Sequence, residues 1–213
     1  MTSLRSGVKM GLMKKLSLYI FLVLMVCNVV YADAISEFEI GGAKLGKSIL
    51  ELMTVDQVTE NVVDRRDDVK QYVMIKYIPD ASIYQNLEFD VYYLSIDVND
   101  EIFPIVGITA LIWFKTDFDA CIKKQNQYAN KYEKIFKIKK EVFPIQNFSD
   151  KYGLNAKWRP IIFEHPNFQT IKSNTASVLC YHYGTSPEND MFGEDNLKIN
   201  VLTREYADAI TVK

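Results

Sequence analysis

Three strand-like runs, Tyr72–Ile78, Leu87–Val98 and Ile105–Phe114, follow one another with only short polar or proline-bearing connections, and this spacing most narrows the folds open to the chain. Parallel neighbours need crossovers of a dozen or more residues, so runs this close pair antiparallel, as a meander. A different period begins directly afterwards. Phe118, Cys121, Ile122, Gln125, Ala129, Tyr132, Ile135 and Phe136 recur at helical spacing. This predicts a helix from Asp117 to about Lys139, capped by Thr116 with Asp119 three residues on. Such a face packs across a sheet and carries Cys121 into the core. The expected fold is therefore α+β, an antiparallel sheet packed against one long helix in a single domain. The helix lysines, among them Lys123, Lys124, Lys131 and Lys134, lie mostly off that face and read as a solvated surface.

The flanking segments add smaller elements. Ile35–Ile40 alternates apolar and polar residues like a half-buried strand and is followed by a turn at Gly41-Gly42. Ser48–Met53 reads as a short helix. Thr54-Val55-Asp56-Gln57 has capping-box spacing and starts a second helical turn through Val63. Asp64–Asp68 reads as an exposed connection. Beyond the long helix, Glu141–Lys157 is irregular, and Trp158–Phe163 forms an edge strand interrupted by Pro160. Two more strands are expected over Ala176–Tyr183 and Leu197–Arg204, and Ala176, Val178, Cys180 and His182 share one face of the first. With the helix on that face, Cys180 can reach Cys121.

The N-terminal end carries a different signal. Lys14 and Lys15 precede an apolar run from Leu16 to Val30, and Val30-Tyr31-Ala32 and Ala32-Asp33-Ala34 supply small residues. That is the charged, apolar, small-residue order of a secretory signal peptide. The run falls short of the ~20 residues a membrane-spanning helix needs. Residues 1–32 are therefore read as a leader, extended upstream of its charged start, with cleavage after Ala32 or Ala34. Residues 33–213 are read as one exported domain, periplasmic or extracellular, with no stable membrane span after cleavage. A domain of that length buries about 70% of its unfolded surface in a single core. The leader holds Arg5, Lys9, Lys14 and Lys15 and no acid, so the remainder is more acidic than the whole chain's net charge of −2. Nucleic acid is accordingly not an expected partner, since that affinity rests on neutralising phosphates.

Cys27 leaves with the leader, and Cys121 and Cys180 remain in a compartment where disulfides persist. They are either a bridge or two buried apolar thiols, and the bridge is the expectation. Closing a loop of about 60 residues contributes roughly 4 kcal/mol in the chain-entropy model.

Gly41-Gly42-Ala43-Lys44-Leu45-Gly46-Lys47-Ser48 matches the phosphate-loop spacing, in which Gly41, Gly46, Lys47 and Ser48 would hold a nucleotide. Its context argues against that role. The strand before such a loop is covered on both faces and nearly all apolar, whereas Glu37 and Glu39 alternate with Phe38 and Ile40. The meander that follows also lacks the alternating helices of a doubly wound sheet, and Asp97 is only a loose match for a magnesium-binding acid.

No catalytic constellation stands out. The two histidines, His165 and His182, rule out a histidine-rich metal site, and neither spacing fits a zinc motif. There is no Gly-x-Ser-x-Gly or His-Glu-x-x-His. Glu37 with Glu39, and Asp117 with Asp119, are ordinary for a wet strand face and a helix start. No catalytic residue, metal or other cofactor is expected.

The chain resembles uncharacterised small secreted bacterial proteins whose mature part begins Ile-x-Gly-x-x-Leu-Gly-x-Ser-x-Leu. Here the matching residues are Ile40, Gly42, Leu45, Gly46, Ser48 and Leu50. The resemblance continues in Gly107-Ile108, in Cys121 within the helix, in Cys180-Tyr181-His182-Tyr183 and in Asp195-Asn196-Leu197-Lys198-Ile199. Similar proteins tend to carry an acid and a Trp in place of His182 and Tyr183, and to lack Gly41 and Lys47. The resemblance implies an exported fold with a cysteine pair, and no activity. The function expected is non-catalytic: binding a protein or envelope component, with Tyr92, Trp113, Tyr181 and Tyr183 as candidates for an exposed aromatic surface. The alternative is a small secreted hydrolase using acids or His165 and His182.

Overall fold

Period-2 alternation becomes one sheet. The computed structural model describes residues 34–65, 70–84, 87–147, 155–164, 173–183 and 194–211, all within the unit Asp33–Lys213. The expected leader and His165 lie outside the described residues. A small hairpin pairs β1 (Glu39–Ile40) with β2 (Ala43–Lys44). A 3-10 turn over Ile49–Glu51 and helix α1 (Val55–Glu60) follow. The capping box forms as its spacing requires, Thr54 accepting from the Gln57 N–H and the Gln57 side chain from the Thr54 N–H.

The meander runs through β4 (Tyr72–Tyr77), β5 (Val91–Asp97) and β6 (Ile105–Trp113). β3 (Val62–Arg65) is added at its outer edge. The helical turn expected to run through Val63 therefore stops at Glu60, and the connection expected from Asp64 begins as strand. The β-branched pair Val62-Val63 suits a pleated edge better than a helix end. The long helix α2 spans Phe118–Phe136. It is capped by Asp117, whose carboxylate accepts from the Ala120 N–H, and not by Thr116. It ends at Lys137 in the left-handed conformation, φ 56°.

The short strands β7 (Glu141–Val142) and β8 (Gln146–Asn147) flank β9 (Lys157–Phe163). A second meander then runs through β9, β10 (Thr175–His182) and β11 (Asn196–Leu202). Pro160 is tolerated because its missing donor faces the gap between β7 and β8, where only its carbonyl is used, by the Phe143 N–H. The last expected strand stops at Leu202. Helix α3 (Arg204–Thr211) begins there, with the Thr203 hydroxyl accepting from the Tyr206 N–H.

The two meanders join edge to edge, β6 on β11, giving the antiparallel order β3-β4-β5-β6-β11-β10-β9-β7. Strand register lines up two apolar rows across six strands. Ile75, Leu94, Ile108, Val201, Ala176 and Phe163 form one, and Tyr77, Tyr92, Ala110, Ile199, Val178 and Ile161 the other. Every member is buried. Helix α2 lies over this face, contributing Cys121, Gln125, Ala129, Tyr132 and Phe136. Tyr128 joins them, whereas Ile135, expected on the buried face, is exposed. The opposite face carries a polar rung, Thr109 donating to Asn200 and Asn200 to Ser177 at 2.9 and 3.2 Å.

Candidate functional site

Cys121 and Cys180 are joined as a disulfide between α2 and β10, with Cα atoms 6.0 Å apart and neither side chain exposed. The bridge pins the helix to the sheet beside Gln125. That buried amide donates to the Arg159 and Val178 carbonyls and accepts from Arg159 Nε, all at 2.7 Å. This is structural machinery, joining helix to sheet.

The Gly41–Ser48 stretch has a form different from a phosphate loop. Gly41 and Gly42 make the β1–β2 turn, with φ of 59° and 87°. This positive-φ pair matches the twist of a two-residue hairpin. Gly46 N–H donates to the Ile105 carbonyl and Lys47 N–H to the Lys44 carbonyl. Lys47 Nζ lies 3.6 Å from Glu51, and Ser48 caps only the three-residue 3-10 turn. Amides a phosphate would need are spent on the fold. Asp97 accepts from Gln71 and from the Asn99 N–H at the far end of β5.

His182 has a clear partner. Its Nδ1 lies 2.8 Å from Asp195 Oδ2, and Asp195 Oδ1 accepts from the Tyr183 N–H. The carboxylate is buried, the imidazole about one quarter exposed. The Phe118 ring is 5.7 Å away, with the Lys157 ammonium over that ring. The pair ties the end of β10 to the residue that precedes β11. Among the described residues no three His, Cys, Asp or Glu side chains gather to hold a metal, and no helix is long and apolar enough to cross a membrane.

The aromatic candidates separate. Tyr92 belongs to the core at 4% exposure, while Trp113 is 37% exposed. Tyr181 stacks on Trp158 at 5.9 Å and on Tyr183 at 6.1 Å, with the Lys198 ammonium 5.2 Å from its ring centre. Burial lowers the Lys198 pKa.

Two cavities are formed by described residues. One, about 500 Å³, lies between α1 and the ends of β3–β5, lined chiefly by Leu50, Val55, Val58, Val73 and Phe103. Its walls are apolar and bring few polar groups to a focus. The other, about 390 Å³, forms where the β1–β2 turn, the segment leading into β5 and the fourth turn of α2 meet. Its walls are Phe38, Tyr84, Phe89, Tyr92 and Tyr132, with Glu39, Glu88 and Lys131 among its polar groups.

Local structure sets these rings. Asp80 accepts from the Ser82 N–H and hydroxyl, and its carbonyl from the Tyr84 N–H, forming the turn that presents Tyr84. A side chain on Gly42 would come within 2.2 Å of the Tyr84 ring, and one on Gly41 within 3.1 Å of Tyr92. The glycine pair thus leaves room for the pocket's tyrosines. Phe38 meets Tyr132 edge-on at 5.0 Å, and Phe89 meets Tyr92 edge-on at 5.8 Å.

Glu88 accepts from the Tyr128 hydroxyl at 2.7 Å and lies 3.7 Å from Lys131 Nζ. That hydrogen bond, then Lys131 and Lys124, hold its carboxyl below the usual range. Burial, followed by the charge of Glu88, pushes Tyr132 upward. Tyr132 is 3% exposed, and its hydroxyl has no hydrogen-bond partner among the described residues. Sequence reading missed this site because its members come from three distant segments. The only local signal was the Gly41-Gly42 pair, which suggested a phosphate loop. Compared with models of protein families, with curated proteins and with solved structures, the chain matches none.

Proposed function

We propose that the protein is an exported, non-catalytic binding module that takes its ligand in the pocket walled by Tyr84, Tyr92 and Tyr132. The observation that carries this reading is the pocket itself: five aromatic side chains, Phe38, Tyr84, Phe89, Tyr92 and Tyr132, line it together with Glu39 and Glu88. Small-molecule sites combine aromatic side chains with a few placed polar groups. Export is supported by the leader pattern of residues 13–34 and by the Cys121–Cys180 bridge. The resemblance to small secreted bacterial proteins agrees with a role at the cell envelope.

Screening a fragment library against the isotopically labelled domain by two-dimensional NMR tests the binding reading. Fragments are expected to shift the amides of Gly42, Tyr84 and Glu88, and Tyr84→Ala is expected to abolish those shifts. A library that leaves these amides unmoved, or binders indifferent to Tyr84→Ala, would overturn it.

His182 and Asp195 favour a second reading, a small hydrolase. The carboxylate orients the ring through Nδ1 and leaves Nε2 for proton transfer. Turnover of ester or glycoside substrates that His182→Ala abolishes would support it, and equal turnover by that variant would remove it.

A further inference from the structure

From the aromatic walls and acidic rim we infer that this pocket takes an organic ammonium group, which rests on reading the pocket as a binding site. Ring faces attract cations through their quadrupole, most strongly where water is partly excluded. Here Phe38, Tyr84, Phe89, Tyr92 and Tyr132 surround a cavity of about 390 Å³ whose carboxylates are Glu39 and Glu88. The lysine of the lining, Lys131, is already engaged by Glu88 at 3.7 Å and lies 5.9 Å from the Tyr128 ring centre.

The chain's own cations show what this cluster attracts. Lys124 stands over the same Tyr128 ring at 5.1 Å, so two ammonium groups already gather at one edge of the aromatic and acidic surface. The Tyr128 ring stacks on Phe89 and lies against Tyr132, both in the cavity lining. The Tyr132 hydroxyl in that lining offers an oxygen lone pair to an ammonium N–H or N-methyl group.

Other ligand classes fit less well. An anion would meet two carboxylates against one committed lysine. A bare metal ion wants six or more oxygen ligands at short range, and the lining brings only two carboxylates, Glu39 and Glu88. A neutral apolar group would fill the space and leave both Glu39 and the Tyr132 hydroxyl unused.

The source of the ammonium is either a free small molecule or a lysine side chain of a peptide. Titration of the labelled domain with choline chloride and with Nα-acetyl-lysinamide, read by NMR, separates the two. The neutral choline isostere 3,3-dimethyl-1-butanol and sodium chloride serve as controls. One of the two ammonium probes is expected to shift Gly42, Tyr84, Glu88 and Lys131, with the isostere weaker by about tenfold or more. Glu39→Gln with Glu88→Gln is expected to weaken that probe by about the same factor, with the rest of the spectrum unchanged.

If the isostere binds as tightly as choline, or library fragments bind while neither ammonium probe does, the ammonium inference falls and the binding reading stands. If neither the probes nor any fragment moves the pocket amides, both fall.

Discussion

Gln125 is the polar residue on which the α2–sheet contact most depends. One amide satisfies two backbone carbonyls and orients the Arg159 guanidinium. Gln125→Leu keeps the volume but strands buried acceptors, which costs about 2–4 kcal/mol. Urea unfolding should show that loss, and a variant as stable as the parent would mean that water replaces the amide. The position was legible in sequence as part of the helical stripe, but its polarity had no local explanation. Its partners are carbonyls on β9 and β10, 34 and 53 residues away. The same holds for Tyr128, omitted from the apolar stripe yet buried, its ring against Phe89 and Tyr132 and its hydroxyl donating to Glu88. At this scale a residue's type shows what it needs, and only the fold shows what supplies it.

Elements were easier to find than their ends. The meander strands and the long helix appear within a few residues of their expected bounds, because alternation and helical period persist over many residues. Caps are single side chains, and neighbours compete for the role. Thr116 and Asp117 both suit the start of α2, and the backbone gives the cap to Asp117. Asp117→Ala should therefore cost about 1 kcal/mol, while Thr116→Ala stays within about 0.5 kcal/mol. Equal effects in thermal unfolding would contradict this assignment.

Helix α3 escaped notice because it is short and begins directly after a strand. Its anchor is Tyr206, which meets Tyr72 edge-on at 4.9 Å, accepts from the Ser95 hydroxyl at 2.9 Å, and lies where any side chain on Gly107 would collide with it. Tyr206→Ala should cost about 3–5 kcal/mol and raise amide exchange over 204–211. Unchanged exchange there would mean that α3 is held by something else.

The unit Asp33–Lys213 is built on a sheet of two meanders, to which a disulfide clamps the longest helix. Replacing both Cys121 and Cys180 with Ala should remove about 4 kcal/mol or more, lowering Tm by roughly 10 °C. An unchanged Tm would place the stability of the α2–sheet contact elsewhere.

Buried phenols set the alkaline limit. Burial, then Tyr84 and Glu39, push Tyr77 up to about 12 from its ordinary 10, and Tyr128 and Tyr132 are also raised. A raised folded pKa contributes stability that is complete below the unfolded value and is lost as pH rises through the folded one. Unfolding is therefore expected between about pH 10 and 12, with tyrosinate absorbance rising in step with loss of circular dichroism. Ionisation of every tyrosine of residues 33–213 near pH 10 with the fold intact would contradict it.

The sequence by itself determined the longer strands, the long helix and the antiparallel meander, because each follows from short-range periodicity and connection length, which the short strands β3, β7 and β8 are too brief to show. Only the tertiary structure decided that β6 pairs with β11, that Cys121 meets Cys180 within bonding range, and that Phe38, Tyr84, Tyr92 and Tyr132 share one cavity. Those choices depend on which apolar rows align and which side chains fit across them. That is a property of the packed whole, and no local stretch of chain encodes it.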